Sequence, residues 1–175
     1  MSNWQIDTSH SSISFRVRHL MFAKVRGSFG KWQGSIEGTS GQLASGSTTV
    51  TIDATSIDTG VPDRDAHLRG ADFLDADNHP TLTFASTSVK GSGDSLEITG
   101  NLTIRGTTRP VVLHAEHTGE GKDPWGNRRL GFSAKTKISR KEFGLVWNQV
   151  LEAGGVAVGD EIEVEIDLEA VQPVA

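Results

Sequence analysis

The chain has 175 residues, no cysteine and a net charge of −5 at pH 7. That length fits a single domain, residues 1–175, with volume for one core. The absent cysteines exclude a disulfide framework and thiolate chemistry. The acidic balance excludes a general nucleic-acid binder.

The chain begins Met1-Ser2-Asn3-Trp4-Gln5-Ile6-Asp7, without a basic start and an apolar run. No signal peptide, membrane span or stable membrane insertion is therefore expected, and the expected setting is the cytoplasm. Ile13, Phe15 and Val17 alternate with Ser14, Arg16 and Arg18, which predicts a strand. His19 to Lys24 reads as a short link. Val25 to Glu37 predicts strands on either side of a bend. Gly38 to Ser47, mostly small and polar residues, reads as a loop. Val50, Ile52 and Ala54 alternate again.

The pattern then changes period. Pro62-Asp63-Arg64-Asp65 opens as a helix does, with proline and early acids. A short, interrupted helical insert is expected over residues 63–77. Leu82 and Phe84 resume the strands, and Gly91-Ser92-Gly93-Asp94 is a hairpin signal. Leu96, Ile98, Leu102 and Ile104 fall on even positions, with Gly100 as a bulge or bend. Val111 to Leu113 follows a turn at Gly106. Residues 119–128 read as a turn-rich loop. Leu130 to Ile138 alternates, as do Phe143, Leu145 and Trp147, and residues 152–155 break the pattern. The last stretch, Ile162 to Glu169, is aliphatic at every even position and acidic at every odd one. That is a strand with one dry face and one wet face.

Eight to ten strands and one helical insert predict an all-β chain, an antiparallel barrel or a sandwich. The predicted inward set is Phe15, Val17, Phe84, Ile98, Leu102, Ile104, Phe132, Ala134, Ile162, Val164 and Ile166, joined by Phe29, Trp32 and Phe143. Tyrosine is absent and tryptophan numbers 4, so medium aliphatics line most of this face. Such an interior holds either a packed core or an apolar ligand, which recovers about 0.8 kcal/mol per buried CH₂.

The motifs also carry a resemblance. Phe15-Arg16-Val17-Arg18-His19-Leu20, Val25-Arg26-Gly27-Ser28-Phe29, Asp58-Thr59-Gly60 and Arg64-Asp65-Ala66-His67-Leu68 occur in this order. Ala71-Asp72-Phe73-Leu74, His79-Pro80, Gly100-Asn101-Leu102-Thr103-Ile104-Arg105-Gly106, Asp123-Pro124-Trp125-Gly126 and Arg140-Lys141-Glu142-Phe143-Gly144-Leu145 follow. Together they make the chain similar to the YceI-like family of bacterial polyisoprenoid-binding proteins, in its leaderless cytosolic branch. The resemblance implies an extended lipocalin-like barrel of about eight strands. It implies a bound isoprenoid lipid with a pyrophosphate or quinone head, a homodimer, and no catalysis.

Arg16, Arg18, His19, Arg64 and His67 are the candidates for a polar mouth that meets the headgroup. Beside that reading stand a solvated surface for Arg16 and Arg18, a turn cap for His19, and for Arg64 and His67 an Asp-capped helix whose arginine pairs with a nearby carboxylate. Arg105 and Arg140 read as structural or solvated. Asp75, Asp77 and His79 lack the spacing of known metal loops, so no metal is expected. No cofactor other than the lipid is expected. Two rival readings remain. One is an enzyme acting on a lipid or quinone, with His19 or His67 as acid or base. The other is a packed β-sandwich that serves as an interaction module in stress response.

Overall fold

Period-two alternation obliges each strand to bury one face, and a long sheet that does so curls onto itself. The computed structural model describes residues 2–39, 42–152 and 155–173, and its strands close into a ring. β1 (Ser2–Ile6) and β2 (Ser12–His19) make one bent strand, joined by a 3₁₀ turn at Thr8–His10. β3 (Ala23–Phe29) and β4 (Trp32–Thr39) make the second, bent at Gly30 and Lys31. β5 (Gln42–Asp53) and β6 (Ile57–Asp58) make the third. β7 (Thr81–Ser92), β8 (Ser95–Ile104), β9 (Thr107–Lys122), β10 (Arg128–Ser139) and β11 (Val158–Gln172) complete it.

Neighbours in the ring are antiparallel and consecutive in sequence. β11 closes it by pairing with β2, Ile166 opposite Ile13, and with β1, Ala170 opposite Ile6. The result is a closed eight-stranded barrel, a geometry that removes sheet edges. No helix among the described residues is long and apolar enough to cross a membrane.

α1 (Pro62–Arg69) has proline in its first turn, together with Asp63 and Asp65. It is shorter than the expected 63–77 insert because Gly70 leaves the helix with an extended backbone. The chain then turns sharply, with Asp75 at φ 47°. These turns bury Phe73, Leu74 and Ala76 instead of a helical stripe.

Three other expectations are corrected. Gly38–Ser47 is not an open loop: β4 and β5 run through it as a hairpin with Thr39 opposite Gln42, and residues 40–41 at its tip lie outside the described residues. Phe143, Leu145 and Trp147 do not form a strand. Arg140–Phe143 is a 3₁₀ turn, because buried Arg140 gathers the carbonyls around it. Gly100 is not a bulge. The irregularity lies across from it, between Ser86 and Ser88. A Cβ on Gly100 would stand 2.4 Å from the Phe84 ring, so this glycine makes room for an aromatic. The break at 152–155 falls partly on residues 153–154, outside the described residues. β1 carried no alternation long enough to read in advance.

Two apolar clusters fill the ends of the barrel. At one end, α1 and its following turns bring Phe73 and Leu74 against Ile57, Ile104, Phe143 and Leu145. At the other, Trp4, Leu130 and Ala170 are almost wholly buried. The Trp4 indole N–H donates to the Gly38 carbonyl at 3.2 Å, and the Arg128 guanidinium lies over its ring.

Candidate functional site

Between the two clusters the barrel is not filled. Facing residues in the middle layers are small or slender: Ala115 on β9, Ala134 and Thr136 on β10, Val164 and Ile166 on β11. Across from them stand Phe84, Ile98 and Leu102 on β7 and β8, with Trp32, Ile36, Val50 and Ile52 on β4 and β5. The cavity they leave has a volume of about 150 Å³ and an almost entirely apolar wall. Leaving an apolar cavity of that size unfilled costs about 4 kcal/mol, since each Å³ costs about 24 cal/mol. An engineered cavity of about 150 Å³ holds a molecule the size of benzene. A long isoprenoid chain therefore requires the wall to part.

The wall has a seam where it can. β5 pairs with β7 from Asp53–Thr81 to Thr49–Ala85, and no further pairing joins the two strands among the described residues. Beyond that point the Thr48 N–H donates to the Ser86 hydroxyl at 2.8 Å. The bulge between Ser86 and Ser88 then shifts the inward parity of β7, so Phe84 and Val89 both face the cavity. Gly46, Ser47 and Thr48 form one lip of this seam and Val89 the other, with exposed Glu37 beside them. Glu37, Ser47, Thr48 and Thr136 supply the polar side chains of the lining among the described residues.

Of the expected cavity residues, Trp32, Phe84, Ile98, Leu102, Phe132, Ala134, Val164 and Ile166 line the space. Phe15, Phe29, Ile104, Phe143 and Ile162 do not. They are packed into the cluster beneath α1, where the inserted turns cover them. Val17 is half-buried opposite Val25 and Ile162, outside the lining.

None of the five expected mouth residues lines the cavity. Arg16 is on the outer wall, where it pairs with Glu163 and Glu165. It directly follows Phe15 in β2, so the two side chains point to opposite faces. Arg18 and His19 are exposed near the β2–β3 turn. Arg64 donates to the Thr59 hydroxyl at 2.7 Å and to the Thr59 carbonyl at 2.8 Å, while the buried Asp65 carboxylate accepts from the Thr59 N–H. His67 packs edge-on against Phe73 and Trp147, and its Nε2 is 2.9 Å from Asp72. Arg64 and His67 thus tie α1 down over the closed end.

Sequence reasoning missed the seam residues Glu37, Ser47, Thr48 and Val89. It also missed His117, whose Nε2 is buried without a hydrogen-bond partner, its ring against Phe132. The inward alternation of Leu113, Ala115 and His117 on β9 was available as a signal for it.

The YceI-like domain profile matches residues 4–170. A UPF0312 protein of Vibrio cholerae is 39% identical over 175 residues, covering 98% of this chain and 88% of its own length. Protein YceI of Escherichia coli is 43% identical over 146 residues, covering 82% of this chain and 76% of its own. Among solved structures, a Campylobacter jejuni YceI protein is 30% identical with a TM-score of 0.77, covering 90% of each chain. BcnA of Burkholderia cenocepacia shares the fold at a TM-score of 0.82 and 24% identity, covering 94% of this chain and 98% of its own. A polyisoprenoid binding domain from Saccharophagus degradans, implicated in plant cell wall breakdown, shares it at 0.68 and 14%, covering 97% and 98%.

Proposed function

Because this chain belongs to the YceI-like domain family, we propose that it binds the chain of an isoprenoid lipid inside the barrel and carries or stores it without chemical change. The observation that carries this reading is the apolar cavity beside a wall that is hydrogen-bonded along only part of its length. Each methylene that replaces empty space or leaves water contributes about 0.8 kcal/mol, so a few isoprene units offset the cost of parting the wall. The name of the Saccharophagus degradans neighbour supports the same class of ligand. The lining also favours binding over catalysis, since it offers one carboxylate and three hydroxyls rather than a coupled acid–base pair.

The polar lip narrows the headgroup. Glu37 and the hydroxyls of Ser47 and Thr48 flank the seam, and no cation is in the lining among the described residues. A pyrophosphate would meet a carboxylate there without a counter-charge, whereas a polyprenol hydroxyl can donate to that carboxylate and a quinone carbonyl can accept from the Ser47 hydroxyl. The reading is therefore a neutral-headed polyprenol or isoprenoid quinone. A homodimer, implied by the family resemblance, belongs to the same proposal.

Native mass spectrometry of the gently purified protein, followed by solvent extraction, tests it. The expected result is a stoichiometric isoprenoid with a neutral head, or uptake of added polyprenol in preference to its pyrophosphate. The same spectra read the oligomeric state. An unliganded mass that added polyprenol and quinone leave unchanged overturns the lipid reading.

A further inference from the structure

The β2–β3 hairpin projects from the closed end of the barrel with an unusual distribution of residues. In the paired register Arg16 stands opposite Arg26, and Arg18 opposite Lys24. Directly opposed residues share a face, so four cations form a block on the outer surface of the hairpin, and like charges so placed repel. Two carboxylates of β11 offset part of this: Glu163 and Glu165 pair with Arg16, and Glu163 also reaches Lys24. Arg18 and Arg26 have no carboxylate partner among the described residues, on a chain whose net charge is −5.

The tip beyond that block is apolar. Phe22 is 84% exposed and Met21 47%. Leu20 and Met21 hold φ of 53° and 70°, a left-handed conformation that glycine or asparagine adopts without strain and bulky residues seldom do. The strained turn lifts Phe22 into solvent instead of folding it back. The tip is braced from the side. The Leu20 N–H donates to the Ala157 carbonyl at 2.9 Å, and Met21 sits against Gly155. The chain at Val150 bridges to Val156, and Val150 itself is 81% exposed. Cations behind an apolar tip match the headgroups and acyl boundary of an anionic bilayer, where aromatic and aliphatic side chains enter and cations stay at the surface.

We propose that the β2–β3 hairpin docks the protein on anionic membrane surfaces, with Met21, Phe22 and Val150 inserted and Arg18, Lys24 and Arg26 at the lipid headgroups. This goes beyond the cargo reading and does not depend on it. Docking is peripheral and reversible, because the apolar area is that of a few side chains.

The test is co-sedimentation of the full chain with vesicles of phosphatidylcholine alone and with 30% phosphatidylglycerol. The fraction chosen for the anionic vesicles sets a surface potential that each basic residue reads as about fivefold in affinity. Binding to the anionic vesicles only, released by about 0.5 M salt, is the expected result. Phe22→Ser is expected to weaken it at least tenfold, by loss of one aromatic from the bilayer. Arg18→Ser with Arg26→Ser is expected to weaken it roughly 25-fold. Both side chains and Phe22 are exposed, so the thermal unfolding midpoint serves as a check that the fold is intact. Trp125, 78% exposed at the opposite end of the barrel, is the control, and Trp125→Ser is expected to bind as the parent does. No binding to anionic vesicles overturns the proposal. So does loss of binding in Trp125→Ser with retention in Phe22→Ser. A stable dimer that dissociates in Phe22→Ser and never binds vesicles also overturns it, by assigning the tip to a second copy of the chain.

Discussion

Two arginines of this protein share a sequence environment of alternating strands and do opposite things. Exposed Arg128 covers the buried Trp4 indole, while Arg140 is buried and donates to the carbonyls of Gly159, Leu145, Trp147 and Val158 at 2.6–3.1 Å. Burial lowers the Arg140 pKa and Asp160 opposes that effect, so the group stays a cation and stitches the 145–159 connection to the barrel. Arg140→Met removes this donor from the Gly159, Leu145 and Trp147 carbonyls, while the Val158 carbonyl keeps the Asn148 amide. The expected loss is about 3 kcal/mol or more, at roughly 1–3 kcal/mol per buried polar group left unpaired. A chain of this size loses about 2–4 °C per kcal/mol, so calorimetry is expected to show a midpoint lower by about 10 °C. An unchanged midpoint would mean that water replaces the guanidinium. Arg140 was read from the sequence as structural or solvated, and no local pattern marks which. Its role depends on carbonyls 5 to 19 residues away.

At the scale of elements, the seam between β5 and β7 decides how a ligand enters. A strand pair hydrogen-bonded along its whole length opens only by breaking many bonds together, whereas this pair is already parted beyond Thr49 and Ala85. Cysteines at Thr48 and Ser86, where the Thr48 N–H meets the Ser86 hydroxyl at 2.8 Å, are the pair to close it with a disulfide, its formation checked by loss of free thiol. The chain has no natural cysteine to interfere. The oxidised variant is expected to take up polyprenol at least tenfold more slowly, with full recovery on reduction. Equal rates in the two forms would move the route elsewhere in the wall. The strands on either side were legible as Val50–Ile52 and Leu82–Phe84. Their parting was not, because it arises from a bulge that a run of serines and threonines does not advertise.

For the whole molecule, one stabilising feature that ties distant segments together is the ion cluster around Arg129 on β10. It donates to Asp7 beside β1, to Asp123 in the β9–β10 turn and to Glu169 on β11, at 2.6–2.9 Å. Burial would raise the Asp123 pKa, yet hydrogen bonds from Arg129 and Asn127 outweigh it and bring it down to about 2. Hydrogen bonds from Ser9, Arg129 and His10 hold Asp7 well below its ordinary value too. A depressed carboxyl pKa adds stability above its unfolded value of 3.8, and that stability is lost as pH falls through the folded value. Unfolding midpoints are therefore expected to be steady above pH 4 and to fall between pH 4 and 2, less steeply in Arg129→Met. Parallel curves for the two proteins would assign acid lability to other groups. The sequence by itself determined the all-β class, the strands that alternate clearly and the apolar inner face, because period two is a local property that any alternating chain must express as a two-faced strand. Trp32, Phe84, Leu102 and Ala134 could be assigned to the interior on that ground alone. Only the tertiary structure decided which inward residues pack and which border empty space, since Ile104 and Phe143 are covered by turns that come from distant segments. It likewise decided that Arg16 and Arg18 face outward, away from the cavity. Closure, bulges and buried polar partners depend on contacts between residues far apart in the chain, and alternation carries no record of them.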